Sequence, residues 1–313
     1  MLGSINKPIV ANLPIDVKSV TLIQIGLQFI ESAKNIEEIS SKVLNLIDKY
    51  FACSFLKISQ FLSFKNRYNI VFLLYYLDES DKYRYINIFE LFIKMNYPEM
   101  GYWYEIINTP ISNIETHSSS QKGVINDSGI FNLAENLDGS VYYGSWGSMR
   151  KRMPILNKGN IDNLPRHGRQ IQELCIIRSG QNWDAAIDDE IILYKEHLEK
   201  KLQISVKGLQ NQNNSIGCKY ARFLYDIDIN NLRKYKKITL LKSSSVYACF
   251  LSFESLEQWA KGHSQHLDIW KTYKHQRQEG LLSNLGIWHE VYIVPIDKFS
   301  TNHINCILDT NFF

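Results

Sequence analysis

The sequence predicts an α+β fold built from two tandem ferredoxin-like halves, with antiparallel sheets carrying helices on their outer faces. Three observations lead there. The order strand, helix, strand, strand, helix, strand can be read across residues 20–111 and again across residues 173–294. Between the two runs lies a long stretch rich in Gly, Ser and Asn, with Pro154 and Pro165 inside it. Such a stretch reads as a connection, and long connections often carry function. The division is therefore residues 1–111 for the first half, 112–170 for the connecting region and 171–313 for the second half.

In the first half, Val20–Phe29 is an apolar run of strand type. Ile36, Ile39, Val43, Leu46, Ile47 and Tyr50 then recur at helical spacing over Ile36–Tyr50, and Asn35 with Glu38 has the form of a capping box. Lys65-Asn66-Arg67 is a polar turn between strands Phe55–Phe64 and Tyr68–Leu77, which makes a hairpin. A helix over Lys82–Met95 and a strand over Tyr104–Ile111 complete the unit. In the second half, strand Glu173–Ser179 precedes a helix with the stripe Ile187, Ile191, Tyr194, Leu198 and Leu202. Strands near Cys218–Ile227 and Val246–Phe253, a helix over Ser255–Lys274 and a strand over Leu285–Val294 follow.

Of the 313 residues, 45% are hydrophobic and 12% aromatic, enough for a large core and against disorder. A net charge of +3 with no dense basic tract argues against a nucleic-acid partner. The five cysteines are scattered and never form a CxxC pair, so reduced core thiols fit better than a disulfide framework or structural zinc. Met1 to Pro14 lacks the basic start and apolar stretch of a signal peptide, and the longest strongly apolar run, Ile70–Leu77, is too short for a bilayer. A cytoplasmic protein without a membrane partner is expected, and a homodimer is left open.

The helix over Ser255–Lys274 carries the most telling chemistry. Leu256, Trp259, His263, His266, Trp270 and Tyr273 fall at spacings of three and four, which sets two histidines on an apolar stripe. Burying imidazole costs free energy unless it gains a hydrogen bond or a metal. In the following strand, His289 shares a face with Ile287, Val291 and Ile293. A helix and a strand thus both aim histidine at an apolar interior, as a cofactor pocket requires. Zinc wants further Cys, His or carboxylate ligands nearby, which are missing here, whereas haem needs one proximal His and apolar walls.

Two loops add polar groups. Gly144-Ser145-Trp146-Gly147-Ser148-Met149-Arg150-Lys151-Arg152 is either a solvated surface loop or a close backbone approach to a cofactor with Arg150 turned inward. Ser179 ends a strand on the same face as Cys175 and Ile177, in a Ser-Gly step that is also ordinary turn chemistry. No G-x-S-x-G elbow, P-loop or G-x-G-x-x-G is present, which removes the usual hydrolase and nucleotide readings.

Together, Gly147-Ser148-Met149-Arg150, Ile177-Arg178-Ser179-Gly180-Gln181-Asn182-Trp183, Gly217-Cys218, Arg222-Phe223 with Asp226-Ile227-Asp228, Trp259 with His263-x-x-His266-Leu267, and Trp288-His289-Glu290-Val291 resemble the haem-containing aldoxime dehydratases, the family that includes phenylacetaldoxime dehydratase. The likeness runs from about Gly26 to Val294 and is weaker in the first half. It departs at Ser145, where an aromatic residue is usual, and in ends that look short. The resemblance implies halves related to dimeric α/β barrels, with haem b in the second half. It implies that His266 is the proximal iron ligand, His289 a distal general acid, Ser179 the hydroxyl that bonds the oxime, Arg150 the network arginine and Glu115 a supporting carboxylate. The reaction so implied is dehydration of an aldoxime substrate to a nitrile, with the substrate nitrogen on ferrous iron. A haem peroxidase or monooxygenase of the same fold group and a non-catalytic haem sensor are the alternatives.

Overall fold

The computed structural model describes residues 9–29, 35–63, 65, 67–78, 100–119, 127–139, 146–157 and 173–307. Its strands are β1 (Ile9–Asn12), β2 (Ser19–Phe29), β3 (Phe55–Leu62), β4 (Tyr68–Leu77), β5 (Met100–Pro110), β6 (Ile114–Ser118), β7 (Asn136–Gly139), β8 (Glu173–Asn182), β9 (Cys218–Ile227), β10 (Leu240–Phe250), β11 (Gly286–Pro295) and β12 (Phe299–Ile304). The helices used below are α1 (Ile36–Tyr50), α2 (Gly129–Leu133), α3 (Trp146–Arg152), α4 (Pro154–Asn157), α5 (Asp188–Leu193), α6 (Lys200–Ile216), α7 (Ile229–Tyr235), α8 (Phe253–Gly262) and α9 (Ser264–Gln278). A π turn, Tyr194–Glu199, joins α5 to α6. Among the described residues no helix is long and apolar enough to cross a membrane.

All described strands join one 12-stranded sheet in the order β12-β5-β2-β4-β3-β9-β10-β8-β11-β6-β1-β7, and every pairing is antiparallel. The expectation of one sheet per half gives way to a single sheet because Ser59 and Gln60 of β3 pair with Asp226 and Tyr225 of β9. Each half contributes four neighbouring strands, β5-β2-β4-β3 and β9-β10-β8-β11.

The sheet curls so that one face of each half meets the other. Leu22, Val71, Leu73 and Trp103 from the first half share a core with Ile176, Leu224, Tyr247 and Tyr292 from the second. This interior also holds buried charges. Arg222 Nη1 donates to Glu105 Oε1, while Lys57 lies 2.7 Å from Asp127 and 3.2 Å from Asp226. Glu290 accepts from Tyr75 and Tyr292, and Arg178 donates to Tyr75. Buried charges persist only when they are paired and hydrogen-bonded, and these are.

The halves also repeat a detail of packing. Gly26 faces Trp103 across β2 and β5, and Gly180 faces Trp288 across β8 and β11. A Cβ on either glycine would lie only 1.8 Å or 2.2 Å from the indole, so each indole lies flat over a strand only because the side chain opposite is missing. Arg222 stacks over Trp103 and Arg178 over Trp288, at 4.4 Å and 4.8 Å.

On the outer face of the first half, α1 and α7 cover Ile23, Ile25, Leu27, Phe72 and Leu74. The capping box expected at its start does not form: Asn35 sits in the left-handed region (φ 78°) and its side chain makes no cap. The predicted helix Lys82–Met95 lies outside the described residues. On the second half, α6 and α8 cover Ile177, Ala248, Phe250, Val291 and Ile293. The single helix expected over Ser255–Lys274 is two helices. The chain turns to an extended conformation at His263 (φ −79°, ψ 125°), which caps α8 and starts α9. That break dissolves the expected continuous stripe, and Trp270 ends 39% exposed.

Candidate active site

Three neighbouring strands bring the polar groups together. In the register of β6, β11 and β8, His117 pairs with His289 and His289 pairs with Ser179. The three side chains therefore form one row on the helix-covered face, and Val246 of β10 continues it beyond Ser179. One step along, Val291 is flanked by Glu115 and Ile177. His289, Ser179 and Val246 are only partly buried, whereas Ile177, Ala248 and Val291 are buried, so the row lies at the mouth of an apolar floor.

His289 Nε2 and Glu115 Oε2 are 2.8 Å apart, with the carboxylate accepting. The other oxygen of Glu115 accepts from Arg152 Nε at 2.5 Å. Burial pushes the Glu115 carboxyl up, but the charges of His289 and Arg152 outweigh it and hold the group below the usual carboxylate range. The result is a buried carboxylate held between an arginine and an imidazole. Ser179 Oγ reaches the Trp288 carbonyl at 3.4 Å.

Arg150 stands elsewhere. It lies 2.6 Å from Glu257 and 3.4 Å from Glu254, both on α8, and stacks at 5.0 Å over Phe253. The reason is helical geometry: residues two apart in a helix point about 200° away from each other. In α3, Arg150 therefore turns to α8 while Arg152 turns to Glu115. Arg150 latches this short helix to α8, and Arg152 enters the site. The sequence reading passed over Arg152 and also His117. His117 had a signal available, since Glu115 and His117 are two apart on a strand and so share a face.

His266 occupies the first turn of α9. Its Nδ1 lies 2.8 Å from the Ala260 carbonyl, which only accepts, so Nδ1 carries the hydrogen and the lone pair is left on Nε2. Burial pushes this imidazole down to about 4, against the hydrogen bond to Ala260, so it is neutral at physiological pH. The indole of Trp259 lies 4.7 Å from the ring and is braced in turn by Phe250 at 5.9 Å.

Haem fits this donor set. A neutral imidazole with a fixed tautomer stands beside aromatic walls, and among the described residues no cluster of three or more His, Cys, Asp or Glu offers a multi-ligand metal site. Trp259 Nε1, in the last turn of α8, and His263 Nδ1, at the break itself, are buried without a hydrogen-bond partner among the described residues. Polar atoms stranded in this way mark a place shaped for something besides protein. Gly144 and Ser145 of the small-residue loop lie outside the described residues.

Known proteins resemble this chain in sequence and in fold. A family model of haem-containing dehydratases matches residues 24–312. An aliphatic aldoxime dehydratase of Rhodococcus erythropolis is 28% identical over 222 residues, covering 66% of this chain and 60% of that protein. A phenylacetaldoxime dehydratase of Bacillus sp. (strain OxB-1) is 24% identical over 230 residues, covering 68% and 62%. The match thus spans only about 60% of the length of these relatives. In fold, a crystal structure of an aldoxime dehydratase in complex with butyraldoxime superimposes with a TM-score of 0.82 at 22% identity, over 98% of this chain and 88% of the other. A second aldoxime dehydratase structure gives 0.80 at 22% identity, over 97% and 90%.

Proposed function

The chain belongs to the haem-containing dehydratase family, and from that premise we propose that it is a haem-dependent lyase that dehydrates aldoximes, R–CH=N–OH, to nitriles and water. The observation that carries this reading is His289, hydrogen-bonded to a buried carboxylate and set beside the Ser179 hydroxyl in one cross-strand row. Expelling hydroxide from an oxime needs a proton on the departing oxygen, and this row offers an acid and a hydrogen-bonding hydroxyl side by side.

His266 is the residue that would hold haem b, through Nε2. When bound, ferrous haem would supply an electron-rich iron able to activate the oxime. The remaining work falls to this chain. His289 gives its proton to the hydroxyl, a role that contributes about 10²–10⁴-fold. Ser179 orients that hydroxyl. Glu115 supplies the counter-charge for the imidazolium, and Arg152 keeps Glu115 ionised and in place. After the N–O bond breaks, the neutral His289 is positioned to take the carbon-bound hydrogen, which returns it to its starting state. Arg150 acts at a distance, by latching α3 to α8.

The finer architecture belongs to the same reading. In each half the four strands lie in the order fourth, first, third, second, as a ferredoxin-like unit requires, and the repeated Gly–Trp–Arg packing supports a duplication. This supports residues 1–111 and 171–313 as the two halves, with 112–170 as the connection that delivers Glu115 and Arg152.

The test is nitrile formation from butyraldoxime and phenylacetaldoxime by haem-loaded, dithionite-reduced protein under nitrogen with no oxidant. Turnover under these conditions supports the lyase. Turnover only with added peroxide or dioxygen means a redox haem enzyme instead.

A further inference from the structure

The row that holds the acid contains a second imidazole. His117 lies directly opposite His289 in the β6–β11 ladder, and the two rings stack with centroids 5.1 Å apart and planes at 23°. Its Nε2 is buried and has no hydrogen-bond partner among the described residues. The charged groups around the pair are Glu115 on the same strand as His117 and Arg152 from α3, while Ser179 on the far flank carries no charge. Both oxygens of Glu115 are engaged, one by His289 and one by Arg152. The carboxylate that would hold a proton on His117 is therefore spent on its neighbours. Burial pushes the His117 imidazole down to about 3, and the charges of His289 and Arg152 push the same way against a weaker pull from Glu115. One ring of the stacked pair can carry the proton, and the other stays neutral across the working pH range.

We propose that His117 is a positioning residue of the distal site, a neutral ring whose aromatic face stacks on His289 and holds the proton there. The attraction is that of a cation for a π face, and it acts only while His289 is protonated. It therefore keeps the acid charged to higher pH than an aliphatic neighbour of similar size would, because an aliphatic side chain desolvates the imidazolium without a compensating face. This inference rests on the reading of His289 as the general acid.

The experiment compares the pH profile of kcat/KM for haem-loaded wild type, His117→Leu, His117→Phe and His289→Ala. Since the acid must be protonated, activity falls as pH rises. In His117→Leu that fall moves to lower pH by about half a unit or more, and in His117→Phe, which restores an aromatic face, it stays at the wild-type position. Should the leucine variant not fold, His117→Met provides the same aliphatic replacement. Selective NMR titration of the histidine rings gives the same ordering without turnover. A Leu profile that coincides with wild type overturns the proposal, as does an equal displacement in the Leu and Phe variants. His289→Ala separates the two layers of the argument: wild-type turnover there removes the acid reading itself, whereas an inactive His289→Ala with an unmoved Leu profile removes only the role given to His117.

Discussion

Glu115 and His289 are joined diagonally across the β6–β11 ladder, Oε2 to Nε2 at 2.8 Å, although the register partner of Glu115 is Val291. The diagonal leaves the position opposite His289 to His117 and places the carboxylate beneath the imidazole, next to the apolar floor. It also points the second carboxylate oxygen at α3, where Arg152 meets it. The acid, its counter-charge and the group that fixes the counter-charge thus come from three separate segments.

Glu115 should make stability depend on pH in a definite direction. Its folded-state carboxyl titrates below its unfolded value, so its contribution is fully present above about 4.5 and is lost as pH falls through the lower folded value. Glu115→Gln should lack that part of the acid sensitivity. At pH 7 it should be less stable by about 3 kcal/mol, because the buried Arg152 guanidinium loses its counter-charge. Urea unfolding between pH 3 and pH 7 measures both effects; parallel pH profiles for the two proteins would refute the assignment.

The two arginines of α3 should separate cleanly. Arg152→Ala is expected to lower kcat at least about tenfold with KM little changed, since it releases Glu115 from behind the acid. Arg150→Ala removes a partly exposed latch, so its effect should be mainly a looser α3 and a kcat loss smaller than that of Arg152→Ala. Steady-state kinetics of both variants decides the matter. The reverse order of effects would return Arg150 to the site.

Haem binding should depend on His266 and not on His263. His266→Ala is expected to lose the Soret band at low haem concentration, and His263→Ala to retain it. The structure separates them: His263 is the residue at the break between helices, whereas His266 has its tautomer fixed by Ala260. Retention of the band by His266→Ala, with loss in His263→Ala, would reverse the ligand choice.

Gly180 should tolerate no side chain. A Cβ there lies 2.2 Å from the Trp288 indole, and Trp288 immediately precedes His289. Gly180→Ala should cost about 1–3 kcal/mol in denaturant unfolding and lower turnover together, as the indole pushes β11 out of place. An alanine variant of wild-type stability would show that the indole has room to move.

Much of this was readable in the chain. Cys218–Ile227, Tyr68–Leu77 and Ile36–Tyr50 are bounded as their apolar spacing predicts, and the face of His289 with Val291 and Ile293 follows from strand alternation alone. The break at His263 was not readable, because spacings of three and four run across it unbroken and the turn depends on the extended backbone of one residue. The union of both halves in one sheet rests on β3 pairing with β9, a contact between residues about 170 apart that no local pattern reports. The choice between Arg150 and Arg152 was hidden for another reason. Both belong to a short helix preceded by a long connection, and the partners that sort them, Glu257 and Glu115, are remote in sequence.

The most direct test of the account is a single-turnover comparison of reduced, haem-loaded wild type and His289→Ala with an aldoxime, followed by stopped-flow absorbance and nitrile quantitation. The account predicts that His289→Ala takes up haem and binds the aldoxime as wild type does, because His266 and the apolar floor are untouched. It also predicts that nitrile forms at least about 10²-fold more slowly, the loss expected for a missing general acid. A variant that binds aldoxime and makes nitrile at the wild-type rate would contradict it.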